Sequence, residues 1–466
     1  MSGPRANGAA AAPVDRPALL ALANQHEQEG RLDEAEAVLD GILAEAPNDP
    51  TAVQQKGIVA FRRGRAADAA ELMERSIALA PTSALFHRNL CEVYRALMRH
   101  DDALRVGRRA VELDPKDPHC WHNLGVLHYD RLEPAEAIQC AEQALAIDEN
   151  FAGAHFGIAE ASLLTGEFAR GWEEYEWRSR LAGVPALMPP SEKPQWTGKQ
   201  LGPGERLLLV ADQGYGDVIQ FARYIPWAAS RCAEIAIACS KELHPVVAQL
   251  PGAGNLFGHW ERAPDFAAWS ALSSLPRLAG TTLDTVPQAV PYLRADEAKF
   301  AHWAERLWSL LPRGYRRVGI VWAGRPTHRN DSRRSTRLAT FAPLAALPEV
   351  ALVSLQKGPG QTEIGGYWDR APLLNLGPEL HDFADTIAVL ECLELVITVD
   401  TAVGHLAGAL GKPAWIMLPY APDWRWLRDR SDSPWYPSVR LFRQAGDRRW
   451  DPVIAAITAA LAGSPR

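Results

Sequence analysis

Three stretches of this sequence carry residue types whose spacing suits chemistry. The first, Ala211-Asp212-Gln213-Gly214-Tyr215-Gly216-Asp217-Val218-Ile219-Gln220, follows an apolar run and opens a helical pattern. Gly214 and Gly216 permit close approach of a ligand to the backbone, and Gln213 and Gln220 stand beside them as expected substrate contacts. Asp217 falls in the first helical turn and has two readings. It is either a carboxylate favoured by the helix dipole, worth ~0.3–1 kcal/mol, or, in a cleft, a base that deprotonates an acceptor hydroxyl. A dinucleotide-binding Gly-x-Gly-x-x-Gly would need a small residue where Ile219 stands, which disfavours that use.

The second stretch runs from Val321 to Ser335 and gathers Arg325, His328, Arg329, Asn330, Arg333 and Arg334 after a strand. It suits an anionic diphosphate leaving group, or it is a solvated basic loop. The third, Thr398 to Pro413, ends a strand in Asp400 and begins a helix of small residues at Thr401. Its first amides, from Thr401 through Ala402 and Val403 to Gly404, are expected to face an anion, with Gly411 and Pro413 ending the helix. His405 shares a helix face with Thr401 and is expected to contact the ligand rather than serve structure alone. Gln356 and Lys357 end another strand at the same rim, as nucleoside contacts or an ordinary turn. The aromatic stretches Asp423-Trp424-Arg425-Trp426-Leu427 and Asp432-Ser433-Pro434-Trp435-Tyr436 read as interdomain packing in preference to a border for sugar or base.

The elements positioning these loops fall into two halves. Pro47, Pro81 and Pro115 recur every 34 residues, as do Ala35, Ala69, Ala103 and Ala137. Small residues hold a matching place at Ala23, Gly57, Cys91, Gly125 and Ala159, and the best copy reads Trp121, Leu124, Gly125, Ala137, Ala144. This pattern resembles the tetratricopeptide repeat, two antiparallel helices per unit, over about 16–185. Small residues let paired helices approach, and each proline follows a second helix that it cannot continue. The fifth copy departs at Arg170, Gly171, Trp172, Tyr175 and Trp177, as expected where a stack ends against something else. The repeats are read either as a groove for a protein partner or as an assembly surface, including a homodimer.

A Pro/Gly-rich linker at 186–205 precedes alternating strands and helices. Strands are expected at Leu207–Ala211, Ile235–Cys239, Arg317–Trp322, Ala351–Leu355, Leu373–Leu376, Leu395–Val399 and Ala414–Leu418. Helices are expected from Asp217, near Glu242–Leu250, and at Trp450–Leu461 packed back across the halves; 251–300 is hard to read. Two such series predict two doubly wound, Rossmann-like parallel sheets, at 206–312 and 313–466, with ligand at the strands' carboxyl ends.

Composition narrows the function. With 47% apolar and 23% charged residues the chain should fold, apart from a disordered lead at 1–15. Lys+Arg total 49 against 56 Asp+Glu, so the net charge of -7 disfavours a nucleic-acid partner. Six cysteines without a C-x-x-C pair read as reduced, half-buried thiols. No apolar stretch is long enough to span a bilayer, and the start lacks a secretory apolar block, so a cytoplasmic location is expected.

Together, Gly216-Asp217-Val218-Ile219, Trp322-Ala323-Gly324 and Asp400-Thr401-x-x-x-His405-Leu406-Ala407-x-Ala409-Leu410-Gly411-x-Pro413 resemble the ADP-heptosyltransferase-like glycosyltransferases of GT-B fold. The fusion to tetratricopeptide repeats is similar to bacterial relatives of protein O-GlcNAc transferases, including those proposed to glycosylate flagellin. The resemblance implies inverting, metal-independent transfer from a nucleotide sugar as co-substrate, with no cofactor; the lack of an Asp-x-Asp in a strand-end loop of the second half points the same way. Asp217 then falls on the general base, and Asp400, Thr401 and His405 on donor-binding positions. Ala402 replaces the family's usual glycine, and no lysine stands in the second loop to hold the diphosphate, leaving Arg325, His328 or Arg334 to substitute. The acceptor is expected to be Ser or Thr of a protein; a lipid-linked or polysaccharide acceptor, and a non-enzymatic repeat scaffold, are the alternatives.

Overall fold

The computed structural model describes residues 15–181, 189, 192–328, 330–367 and 372–463. Most of the expected lead at 1–15, part of the linker, and Arg329 of the basic loop therefore lie outside the described residues. The chain divides into two compact units, Met1–Gly157 and Ile158–Arg466.

The first unit is built from helix pairs: α1 (Arg16–Gln28) with α2 (Leu32–Glu45), α3 (Pro50–Arg62) with α4 (Ala66–Leu79), α5 (Ala84–Ala96) with α6 (His100–Leu113), and α7 (Pro118–Asp130) with α8 (Pro134–Ile147). The 34-residue rule has a steric origin. A Cβ on Gly57 would stand 2.9 Å from Met73 Cγ, and one on Gly125 would stand 3.2 Å from the Ala137 carbonyl, so these positions set how closely each pair can pack. Asp49 caps α3 through the amides of Thr51 and Ala52, and Asp117 caps α7, each ahead of a proline in the first turn. The helix α9 (Ala152–Thr165) spans the division between units.

That division falls ahead of the repeat boundary expected at 185. The cause is the departing fifth copy: α10 (Phe168–Tyr175) buries Phe168, Trp172 and Tyr175 among aromatic rings of the second unit. The Trp172 indole donates to the Thr281 carbonyl at 3.1 Å.

The second unit holds two open sheets in which every named strand pairing is parallel. One has the order β3-β2-β1-β4, with β1 (Arg206–Val210), β2 (Glu234–Ala238), β3 (Asn255–Phe257) and β4 (Ala268–Ala271). The other runs β10-β9-β8-β5-β6-β7, with β5 (Arg316–Val321), β6 (Val350–Ser354), β7 (Leu373–Asn375), β8 (Leu395–Val399), β9 (Ala414–Leu418) and β10 (Val439–Arg443). The central strands are apolar on both faces, as buried parallel strands must be. In each sheet the order reverses beside the first strand, between β1 and β4 and between β5 and β8, which is where a doubly wound sheet opens a crevice.

The helices that matter below are α11 (Tyr215–Phe221), α12 (Ile225–Ala229), α13 (His244–Val247), α14 (Leu275–Leu278), α15 (Glu297–Leu310), α16 (Asp331–Arg334), α17 (Ala342–Ala345), α18 (Phe383–Glu391), α19 (Ala402–Ala409) and α20 (Asp451–Ala462). Three strands, β3, β4 and β10, and the helix α15 fall outside the sequence expectations. The expected helix near Glu242–Leu250 is shorter, a 3-10 turn running into α13. The helix α20 does not bridge the halves as expected; Val453, Ile454, Ile457 and Leu461 sit in the core of the second sheet. Five of the six free cysteines are fully buried rather than half-buried, and burial pushes the Cys91, Cys120 and Cys239 thiols up to about 12. No helix among the described residues is long and apolar enough to cross a membrane.

Candidate functional site

At the end of β1 the chain turns through Asp212 into α11. Asp212 is anchored from three directions: Arg178 Nε donates to it at 2.8 Å, Ser273 Oγ at 2.5 Å, and the Ser273 amide at 3.3 Å. Arg178 itself donates to Ser274 Oγ at 2.8 Å and pairs with Glu176 at 3.1 Å. This buried lattice fixes the loop that presents Gln213, Gly214 and Asp217. Gln213 and Gly214 are exposed, and the Gln213 side chain reaches back only to Asp212.

Asp217 is not a bare helix cap, and its carboxylate meets the Arg425 guanidinium, carried by the loop after β9. Arg425 also donates through Nε to Gln220 Oε1 at 2.7 Å and pairs with Asp423 at 2.7 Å, filling the space between two carboxylates. Burial pushes the Asp217 carboxyl above the usual range, Arg425 opposes that, and Asp423 and Asp212 reinforce it. Burial also raises Asp400, helped by Asp423 and opposed by Arg425 and Arg334.

The helix α11 lies directly against α19 because Gly216 has no side chain: a Cβ there would stand 2.8 Å from His405 Cδ2. His405 is 3% exposed, its Nδ1 is 2.9 Å from the Tyr436 hydroxyl, and its ring stacks on Trp426 with centroids 5.3 Å apart. Nε2 turns towards Asp400 at 3.9 Å. Burial first, then Arg425, Arg223 and Arg334, holds the imidazole well below its usual pKa, so at neutral pH it is an uncharged spacer between the helices.

Thr401 precedes α19 in an extended conformation and does not cap it with its side chain; its hydroxyl is 3.0 Å from that of Thr398. The amides of Ala402 and Val403 have no acceptor among the described residues. The Gly404 amide, expected to be free, instead donates to the Thr401 carbonyl at 3.0 Å. At the other end, Gly411 takes φ +69° and the Lys412 amide returns to the Ala407 carbonyl, the turn that stops the helix.

In the second loop, Arg325, His328 and Asn330 are exposed, and the Asn330 amide donates to His328 Nδ1 at 3.2 Å. Arg334 lies deeper, against Asp331 at 3.4 Å, and its charge acts on both Asp400 and His405. Two expected nucleoside contacts, Gln356 and Lys357, make bonds within the protein. Gln356 is 1% exposed; its Oε1 accepts from the amides of Trp322 and Ala323, and its Nε2 donates to the carbonyls of Ala323 and Lys357. It clamps the loop after β5. The Lys357 ammonium donates to the Leu380 carbonyl.

The structure thus brings together Gly216, Asp217, Gln220, Asp400 and His405, with Arg334 in electrostatic reach; Gln356 supports the loop from inside, and Lys357 stays exposed at the rim. Sequence reasoning assigned Trp424, Trp426, Trp435 and Tyr436 to packing, and all four are buried there. It missed Arg425 and Asp423, for which the only local signal is a charged pair inside an aromatic run. Leu427, two residues on, holds φ +51° without being glycine, a strained conformation of the kind that gathers at functional loops. Among the described residues no group of three or more His, Cys, Asp or Glu side chains is placed to hold a metal ion. A cavity of about 960 Å3 lies at the amino ends of β5 and β6, lined by Trp308, Arg313, Arg316, Pro413 and Leu461 among others; it touches neither Asp217, Arg425 nor the start of α19.

Comparison with known proteins supplies the family context. Tetratricopeptide repeat models match residues 16–59, 55–118 and 118–151, and the glycosyltransferase family 9 (heptosyltransferase) model matches 369–417, the segment from β7 to β9 that carries Asp400 and His405. Protein FlbA of Caulobacter vibrioides is 25% identical over 94% of this chain and 83% of its own length. The Hsp70-Hsp90 organizing protein of Triticum aestivum is 33% identical over 23% of this chain and 18% of its own. Among solved structures, a thermophilic tetratricopeptide repeat protein of Thermus thermophilus aligns at 24% identity over 36% of this chain and 91% of that one, with a TM-score of 0.33. The chain thus joins repeats that match tetratricopeptide models to a segment that matches the glycosyltransferase family 9 model.

Proposed function

We propose that this protein is an inverting, metal-independent glycosyltransferase of GT-B architecture, acting in the cytoplasm on a nucleotide-sugar donor and a Ser or Thr hydroxyl of a protein recruited by the repeats. The observation that carries this reading is the placing of a partly buried carboxylate, Asp217, on the helix that packs against α19, whose first amides are unpaired, where both sheets reverse their order. In the proposed step the acceptor oxygen attacks the anomeric carbon while the bond from that carbon to the nucleoside diphosphate breaks. The bonding pair leaves on the phosphate oxygen, and the hydroxyl proton passes to Asp217. The amides of Ala402 and Val403, with Arg334, stabilise the departing charge. Flagellin is the protein acceptor that the sequence resemblance supplies.

The test is an incubation of the purified chain with UDP-, GDP-, ADP- and CMP-linked sugars and a cell extract, read by nucleotide release and by intact mass of the extract's proteins. A sugar-mass increment on one protein, abolished by removing the repeats, supports the reading. Increments on lipid or polysaccharide instead would replace the acceptor, and the absence of any turnover or nucleotide binding would leave a repeat scaffold. A second expectation concerns the donor side. Ala402→Glu places a carboxylate in the first turn of α19, which favours the helix by ~0.3–1 kcal/mol but repels a diphosphate. The donor KM should rise about tenfold or more, equivalent to ~1.4 kcal/mol, with no loss of folding stability; an unchanged KM would remove the phosphate from this helix.

A further inference from the structure

One ion pair of the second unit joins an element of the first sheet to a loop of the second. Asp217 stands on α11, built on the first sheet, and its cationic partner Arg425 stands on the loop after β9 of the second. Arg425 is held in a fixed fork: Nε on Gln220 Oε1 at 2.7 Å, one terminal nitrogen on Asp217, the other on Asp423 at 2.7 Å. The Asp423 carboxylate also accepts from the Arg425 amide at 3.0 Å, so the guanidinium is aimed by its own backbone turn. Behind it, Arg443 donates to the carbonyls of Trp426 at 2.6 Å and Arg430 at 3.0 Å, which pins the same loop. A planar cation held by three partners does more than neutralise charge; by engaging Asp217 through Oδ1 alone it leaves Oδ2 as the oxygen for a ligand.

We infer that Arg425 is the positioning residue that arms Asp217, keeping its carboxylate anionic and turned towards the acceptor, so that a base on one sheet is completed only by the loop of the other. This rests on the reading of Asp217 as the base. It accounts for a feature that reading leaves open: a partly buried carboxylate beside Asp423 and Asp212 would otherwise favour its protonated form, in which it abstracts nothing. The groups acting on Asp217 are Arg425 and Asp423 from the loop after β9, Asp212 at the end of β1 and Tyr175 from α10, while His405 of α19 packs against the neighbouring Gly216; Arg178 is committed to Asp212. Arg425 is the cation in contact with Asp217, and it opposes the rise that burial and the neighbouring acids impose.

The sign follows. A base works deprotonated, so the acid limb of log kcat/KM reports the loss of its charge. Removing Arg425 removes an opposite charge and moves that limb upward by about 1 to 3 pH units, whereas removing Asp423 moves it downward. The experiment measures pH profiles of the full chain, using the nucleotide sugar turned over fastest in the panel above, for wild type, Arg425→Met, Arg425→Lys and Asp423→Asn. The expected results are an upward shift for Met, a limb near wild type for Lys with a lower kcat, and a downward shift for Asn. A limb that stays put in both Met and Asn variants overturns the inference, because a merely structural residue would lower kcat without moving it.

A second readout needs no turnover. In protein labelled with 13C at the aspartate carboxyl carbon, the resonance missing from Asp217→Asn is titrated with and without Arg425→Met. Should Met fail to fold, Lys and Asn decide the matter, and both are titrated the same way. A titration that moves upward in Met while no donor is turned over would keep the electrostatic coupling and sink the transferase reading. Transfer lost in Asp217→Asn alongside an unmoved titration in Met would do the reverse.

Discussion

Asp217→Asn should abolish sugar transfer, lowering kcat by ~10²- to 10⁴-fold, the range that one general base supplies. Donor affinity should stay within about twofold of wild type, because the amides and Arg334 that would hold the phosphates are untouched. Folding should survive as well: Asn is isosteric, its amide oxygen still accepts from Arg425, and Arg425 keeps Asp423 and Gln220 as partners. The measurement pairs single-turnover transfer with calorimetric donor binding on the same preparation. Turnover within threefold of wild type would remove Asp217 from the chemistry, whatever the donor site proves to bind.

The largest effect on stability should come from a residue that touches no ligand. Arg178 and Asp212 are 5% and 4% exposed at their side chains, and Arg178→Met strips the cation from a carboxylate that folding has taken out of water. Such one-sided removals cost ~3–5 kcal/mol, since the orphaned charge stays buried. Ser273 would still donate twice to Asp212, which puts the expectation near the lower end of that range. Denaturant unfolding should show the second unit melting earlier while the repeat unit keeps its own transition. Adding Asp212→Asn to Arg178→Met should recover part of the loss, because no bare charge then remains. Equal stability of single and double variants would mean that packing, not the ion pair, holds the loop.

How much of this was legible follows from where each signal lives. The repeats were open to reading because the 34-residue step is a packing rule written into single positions such as Gly57 and Gly125. The strands with continuous Leu, Ile and Val were readable for the same reason, every residue of β8 being buried. By contrast β3 is three residues long, and β4, Ala-Trp-Ser-Ala, lacks β-branched residues, so neither rises above its surroundings. The start of α15 did carry a signal, Asp296 capping through the amides of Ala298 and Lys299, and it went unread amid the loops around it.

The site divides in the same way. Asp217 and His405 announce themselves by their place at helix starts, which is local information. The Asp217–Arg425 contact joins residues 208 apart, and no spacing rule reaches that far. Gln356 and Lys357 sit at the rim where a ligand contact was expected, yet whether a strand-end amide faces outwards or folds back depends on the neighbouring loop. Here the bare amides of Trp322 and Ala323 claim Gln356.

Arg223 lies behind α11 and holds the two sheets through main-chain oxygens: the carbonyls of Trp435 at 2.7 Å, Pro287 at 3.0 Å and Gln220 at 2.8 Å. Those carbonyls are present whichever amino acids are encoded at the three places. Genetic drift there leaves the acceptors in place, while the donor rests on a single codon. A deep mutational scan should therefore find near-complete intolerance at position 223 and tolerance at Pro287, while losses at Gln220 and Trp435 arise from their own side chains, an asymmetry that a map of residue contacts, counting both ends alike, would conceal.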